Sequence, residues 1–228
     1  MFFNKHLKKK IFLIGANKTG TTTVEEIFRK LKYKIPKQWD QEIELKDAFF
    51  LRDIDKIKKF INKFEFFQDN PISKLSNYVI LDFLYPNAQF ILTVRDEDEW
   101  VESLQRFKIK FLNKRNPEIK SIDDITEQML LDYDYIYPGY IYETTKRYNI
   151  QDLKNCKLIC DFNLIKNKEF LKKIYTARNL EIAKYFQLRK NKLLIIDITK
   201  EKDVSKILQF CNISNDKNFL VPHLNSSI

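Results

Sequence analysis

The stretch Ile11-Phe12-Leu13-Ile14-Gly15-Ala16-Asn17-Lys18-Thr19-Gly20-Thr21-Thr22-Thr23 limits the fold more than any other part of the chain. An apolar run of this length reads as a buried strand. It passes into a loop punctuated by glycines, and that loop opens a helix on which Val24, Ile27, Phe28 and Leu31 recur at helical spacing. Backbone N–H groups at a helix start have no partner within the helix and carry partial positive charge, so a strand, loop and helix in this order make an anion site. Gly15 and Gly20 keep the Walker A spacing, but Thr21 stands where that loop has its lysine, and the lysine sits three residues earlier at Lys18. The expectation is a phosphate loop of another kind, and the alternative is a merely structural turn.

A second motif follows at Tyr85-Pro86-Asn87-Ala88-Gln89-Phe90-Ile91-Leu92-Thr93-Val94-Arg95-Asp96. Phe90 to Val94 is a continuous apolar run after a Pro-Asn turn, as expected of a strand covered on both faces of a parallel sheet. Asp96 is placed to cap a helix with an acidic first turn, with Trp100, Val101 and Leu104 as its apolar contacts. Arg95 falls at the carboxyl edge of the strand, where open α/β sheets bind ligands.

The displaced lysine in Gly15-x-x-Lys18-Thr19-Gly20-Thr21-Thr22, with Arg95 and then Ser103 eight residues further on, resembles the P-loop sulfotransferases of the bacterial type. These enzymes move a sulfuryl group from 3′-phosphoadenosine 5′-phosphosulfate (PAPS) to an acceptor and release adenosine 3′,5′-bisphosphate (PAP). The resemblance implies an α/β fold of three layers, nucleotide-kinase-like, with a central parallel sheet flanked by helices. It implies one sulfotransferase-like domain over 1–228, with a mostly helical insertion on the acceptor side at 105–174. It also implies that Lys18, Thr19, Gly20, Thr21, Thr22 and Thr23 cradle the 5′-phosphosulfate, that Lys18 acts in catalysis, and that Arg95 and Ser103 hold the 3′-phosphate. The match is firm over 10–100 and looser over 175–227, where Pro222-His223-Leu224-Asn225-Ser226 looks like the family's closing segment.

Phe64-Glu65-Phe66-Phe67-Gln68-Asp69-Asn70-Pro71 reads as a strand ending in an acidic residue and a proline. The cytosolic branch of the family has its catalytic histidine at the corresponding place, which makes Asp69 the candidate general base, with Glu65 and His223 as fallbacks. Asp69 as a turn cap, and Arg95 as a partner of the acidic helix start, are the structural alternatives. Sulfuryl transfer, like phosphoryl transfer, is mainly positioning and charge stabilisation. No second acidic strand end pairs with the loop to hold magnesium, since Asp82 falls within a helix, so the expected transfer uses no metal. A P-loop nucleotide kinase or NTPase, with Asp197 or Asp96 on magnesium, is the alternative enzyme. A nucleotide-binding module without turnover is the alternative that is not an enzyme.

At 228 residues, 44% hydrophobic and 14% aromatic, the chain suits one packed domain. Its net charge of +10 fits a nucleic acid, an anionic membrane or an anionic nucleotide donor, but neither arginine clusters nor a reading module is present, so no nucleic-acid partner is expected. Cys156, Cys160 and Cys211 are odd in number and form no ligand pattern, and His6 and His223 are far apart. No stretch reaches the length of a membrane span. A cytoplasmic enzyme with a small-molecule or glycan acceptor is expected; the sequence sets neither the acceptor nor the oligomeric state.

Strands are expected at 10–14, 64–68, 89–94 and 193–198, and helices at 21–32, 53–63, 72–84 and 203–211. This alternation predicts a parallel sheet. Lys34 to Ala48 reads as a surface excursion, and Phe107 to Lys173 as mostly helical cover for the acceptor. Tyr133, Tyr135, Tyr137, Tyr140 and Tyr142 form either a stacking wall for a ligand or ordinary packing. Ala177, Leu180, Ala183 and Phe186 mark the apolar face of a further helix.

Overall fold

The computed structural model describes residues 9–148, 151–154 and 157–214. His6, Cys156, His223 and the closing segment 222–226 lie outside the described residues. In chain order the elements are β1 (Ile11–Leu13), α1 (Thr21–Lys30), α2 (Gln38–Leu45), α3 (Ala48–Leu51), α4 (Ile54–Ile61), β2 (Phe66–Phe67), α5 (Asn77–Leu84) and β3 (Gln89–Thr93). They continue with α6 (Glu97–Asn113), α7 (Glu127–Asp132), α8 (Tyr140–Tyr148), β4 (Gln151–Lys154), β5 (Lys157–Cys160), α9 (Lys168–Phe186), β6 (Leu193–Ile196) and α10 (Ser205–Cys211). The chain divides into two compact units, Met1–Arg95 with Glu181–Ile228, and Asp96–Leu180.

The first unit is built on a four-stranded parallel sheet in the order β2-β1-β3-β6. Successive strand residues face opposite sides. Phe12, Ile14, Phe67, Phe90 and Leu92 join one core with Leu45, Phe49, Ile57, Phe60, Tyr78, Leu81, Ile182 and Phe186. Ile11, Leu13, Phe66, Ile91 and Ile196 join the other with Val24, Ile27, Phe28, Ile207, Leu208 and Cys211. Helices thus cover both faces, which is why the strands are continuous apolar runs rather than alternating ones.

At two helix starts of this unit a carboxylate takes up a backbone N–H. Asp53 accepts from the Lys56 N–H at 3.0 Å, and Asp203 accepts from the Ser205 N–H at 2.8 Å. Asp82, buried on α5, sits in an ionic knot: Arg189 pairs with it, Lys192 Nζ lies 2.8 Å away, and the Tyr185 hydroxyl donates to it at 3.0 Å. Lys192 also donates to the carbonyls of Pro86 and Ala88. Its pKa is lowered, by burial first and then by Arg189 and Lys9.

Two expectations need correction here. The segment 34–48 is not a surface excursion, because α2 buries Gln41, Glu42 and Leu45, and Ala48 and Phe49 continue into the core. The face expected for α9 holds at Phe186 but not at Ala177 and Leu180. Leu180 is 64% exposed and Ala177 is exposed, whereas Ile182 and Phe186 are buried in the first unit and Phe170, Leu171 and Tyr175 in the second. The helix serves two cores in succession, so no single apolar stripe runs along it.

The second unit opens with Asp96 capping α6, its carboxylate accepting from the N–H groups of Asp98 and Glu99 at 3.0 and 3.2 Å. Trp100 stacks on Tyr175 with ring centroids 4.2 Å apart, Thr176 donates to Glu97 at 2.8 Å, and Lys172 pairs with Asp98. The unit has its own core around Leu112, Ile119, Leu130, Tyr133, Phe162 and Ile165. Tyr133 stacks on Phe111 at 4.7 Å and Tyr140 is 1% exposed, so these tyrosines pack rather than line a wall. The stretch is not purely helical, since β4 and β5 form an antiparallel pair.

Candidate active site

From β1 the chain moves to β2 on one side, and β3 then returns to the other side of β1 before β6 extends the sheet beyond it. The order therefore reverses between β1 and β3. A crevice opens at the carboxyl ends of the strands at such a point, because the connections leave in opposite directions. The loop 15–20 follows β1 and Arg95 follows β3, so both candidate phosphate binders of this unit belong to that reversal.

The loop is held by close approach. A Cβ on Gly15 would lie 1.9 Å from Thr93 Oγ1 and 2.8 Å from the Thr93 carbonyl oxygen, so only glycine fits against β3. Gly20 has φ 85° and would place a Cβ 2.2 Å from Ile198 Cγ2, so glycine is required there twice over. Lys18 also has positive φ, 73°, a conformation that costs a lysine free energy and recurs where backbone is shaped for function. The first helical bond of α1 runs from the Val24 N–H to the Gly20 carbonyl, which leaves the N–H groups of Gly20 to Thr23 ahead of it.

Thr19 differs from the other threonines. It is fully buried, its hydroxyl donates to the Ala16 carbonyl at 2.6 Å and lies 2.7 Å from Thr93 Oγ1, and its N–H also turns to Ala16. Its side chain braces the loop from inside. Thr22 is exposed, Thr21 half-buried and Thr23 buried.

Asp69 follows β2 with φ 59°, so both candidate catalytic residues have left-handed backbone. Asp69 Oδ1 accepts from the Asn70 N–H at 2.8 Å, and its carbonyl accepts from the Ser73 N–H at 2.8 Å. The turn role is therefore present, and the second carboxylate oxygen takes no part in it. Glu65 instead accepts from the Lys34 N–H at 2.9 Å, as part of the strand's entry. Asp197 accepts from the N–H and hydroxyl of Thr199 and pairs with Lys200 at 3.2 Å. Arg95 is half-buried at the end of the first unit, and Ser103 is buried on α6 of the second.

Several polar residues of this region were not singled out in the sequence. Lys74 Nζ donates to Asn17 Oδ1 at 3.2 Å, joining the loop after β1 to the segment after β2. Gln38, Gln41 and Glu42 of α2 bond the backbone or side chains of Gln68 and Asn70, and Glu25 of α1 accepts from Gln68. Neighbouring glutamines without a chemical motif carry no signal in sequence. Among the described residues, no three of His, Cys, Asp and Glu are grouped to hold a metal ion, and no helix is long and apolar enough to cross a membrane.

A family model described as the sulfotransferase domain matches residues 10–227. No curated protein matches the chain. With the parallel sheet and this match in hand, the chain belongs to the sulfotransferase family and is a transferase.

Proposed function

We propose that the protein moves a sulfuryl group from PAPS to an acceptor hydroxyl on a small molecule or glycan. The reversal of strand order between β1 and β3, with the Lys18 loop on one strand and Arg95 on the other, is the observation that carries this reading. The donor set fits the nucleotide. N–H groups of Gly20 to Thr23 and the hydroxyls of Thr21 and Thr22 suit the 5′-phosphate, while the guanidinium of Arg95 offers a fork of donors to the 3′-phosphate. Ser103 is assigned to that phosphate as well. Thr19 contributes to the site through the loop shape it maintains.

Asp69 takes the proton of the acceptor hydroxyl as its oxygen forms the new S–O bond. The S–O bond to the 5′-phosphate breaks in line with it, and the electron pair leaves on the phosphate oxygen of PAP. Lys18 stabilises the negative charge that builds on that oxygen, an interaction stronger in the transition state than in the ground state. Atoms and charge balance without a metal. A cytoplasmic setting belongs to the same reading, and Cys211 as a buried free thiol is in keeping with it.

The test is ligand choice. PAP at about 100 times its dissociation constant adds about 2.7 kcal/mol, which for a chain of this size raises the melting temperature by about 5–10 °C. ATP with magnesium, lacking a 3′-phosphate, gives a smaller shift. A larger shift with ATP and magnesium, or none with PAP, overturns the proposal in favour of a kinase or NTPase.

A further inference from the structure

In the proposed reaction the sulfuryl group lies between the loop after β1, which holds the donor, and the turn that starts at Asp69, which meets the acceptor. Lys74 spans that gap. Its ammonium donates to Asn17 Oδ1 at 3.2 Å, and Asn17 directly precedes Lys18 in the loop. Its backbone belongs to the Asp69 turn: the Ser73 N–H donates to the Asp69 carbonyl at 2.8 Å, and the Lys74 N–H donates to the Pro71 carbonyl at 3.1 Å. Buried Asn77 donates from Nδ2 to that same Pro71 carbonyl at 2.8 Å. The turn is thus pinned at its base while the half-buried lysine side chain crosses to the loop.

The amount of charge does not tell a loaded donor from a spent one. A 5′-phosphate monoester carries a charge of about −1.5 to −2 at pH 7, and the phosphosulfate that replaces it in PAPS carries about the same total, divided between the phosphate and the sulfuryl group. What differs is its place, because in PAPS part of the charge stands farther out. The N–H groups of the loop meet the 5′-phosphate of both nucleotides alike. A cation held out from the loop, at the end of the Asn17 side chain and on the side of the Asp69 turn, is closer to the outer charge. The bond to Asn17 aims it there, since an ammonium is a donor with no lone pair to accept.

We infer that Lys74 binds the sulfuryl oxygens of PAPS and so distinguishes the loaded donor from PAP. This rests on the sulfotransferase reading and adds to it a residue that recognises the group in transit. Loss of the outer charge on transfer then weakens the hold on the product, which favours exchange of PAP for a new donor.

The test needs no acceptor. PAPS and PAP are titrated calorimetrically into the full chain, and the readout is the ratio of the two affinities, which a merely structural role of Lys74 leaves unchanged. Lys74→Gln keeps an NH₂ donor for Asn17 and removes the charge. It is expected to weaken PAPS at least about tenfold more than PAP, the effect of losing one charge-assisted hydrogen bond. Lys74→Arg keeps the charge and is expected to restore the ratio. A ratio unchanged in Lys74→Gln, including an equal loss for both nucleotides, or a ratio as low in Lys74→Arg as in Lys74→Gln, overturns the inference. Failure of the underlying reading shows separately, as the absence of saturable PAP binding by the wild type.

Discussion

The hydroxyls of Thr19 and Thr93 lie 2.7 Å apart with both residues fully buried, so the loop after β1 is fastened to the last residue of β3. Arg95 follows two residues later, and the pair therefore couples the loop to the strand that delivers the arginine. Thr93→Val keeps the shape and removes the hydroxyl. It is expected to cost about 1–3 kcal/mol in urea denaturation and to weaken PAP binding, while Thr93→Ser restores both. A serine variant less stable than the valine variant would show that the methyl group, not the hydroxyl, matters.

Lys18→Ala tests the charge role. Turnover is expected to fall by about 10²–10³-fold, while PAP still raises the melting temperature as in the wild type. A variant that turns over normally removes Lys18 from the mechanism.

Asp69→Asn separates the two roles of that residue, because asparagine keeps an oxygen to accept from the Asn70 N–H. Stability and PAP binding should hold while the rate falls by about 10²–10⁴-fold. An unchanged rate would leave Asp69 as a turn former alone and move the base elsewhere.

Alkaline pH should weaken the fold on one side of the sheet. Burial pushes the Cys211 thiol from near 9 up to about 12. Burial, then Cys211 and Glu65, push Tyr33 from near 10 up to about 12. Both groups are neutral in the folded state and ionise more readily in the unfolded chain. Their contribution is therefore complete below about pH 8.5 and is lost progressively as pH rises toward 12. The urea midpoint should fall between pH 8 and pH 11, and Cys211→Ala should flatten the first part of that fall. A midpoint independent of pH over this range contradicts the assignment.

What was legible in the sequence depended on how local the cause was. The turn between β1 and α1, the Asp96 cap and the start of α10 beside Asp203 each follow from a few adjacent residues, and each is present. The strands were placed correctly but too long, because β2 pairs over only Phe66 and Phe67. The errors came from causes distant in sequence. Leu45 and Phe49 look like parts of a polar loop until the core they enter is known, and α9 changes its buried face because it serves two cores. Thr19 stands among four threonines and is told apart only by its contact with Thr93, far along the chain.

The stack of Trp100 on Tyr175 and the Thr176 to Glu97 bond bear on how fast the sheet can be completed. Pairing Phe90 with Leu193 closes a loop of about a hundred residues if the intervening chain is loose. These contacts clasp the beginning of α6 to the middle of α9, so once the second unit has collapsed about twenty residues remain to be closed. The saving in closure entropy is about 1.4 kcal/mol, or about tenfold in rate. Disrupting the clasp with Trp100→Ala should therefore slow the docking of β6 and lengthen the time for which the outer edge of β3 stands open to pairing with another chain.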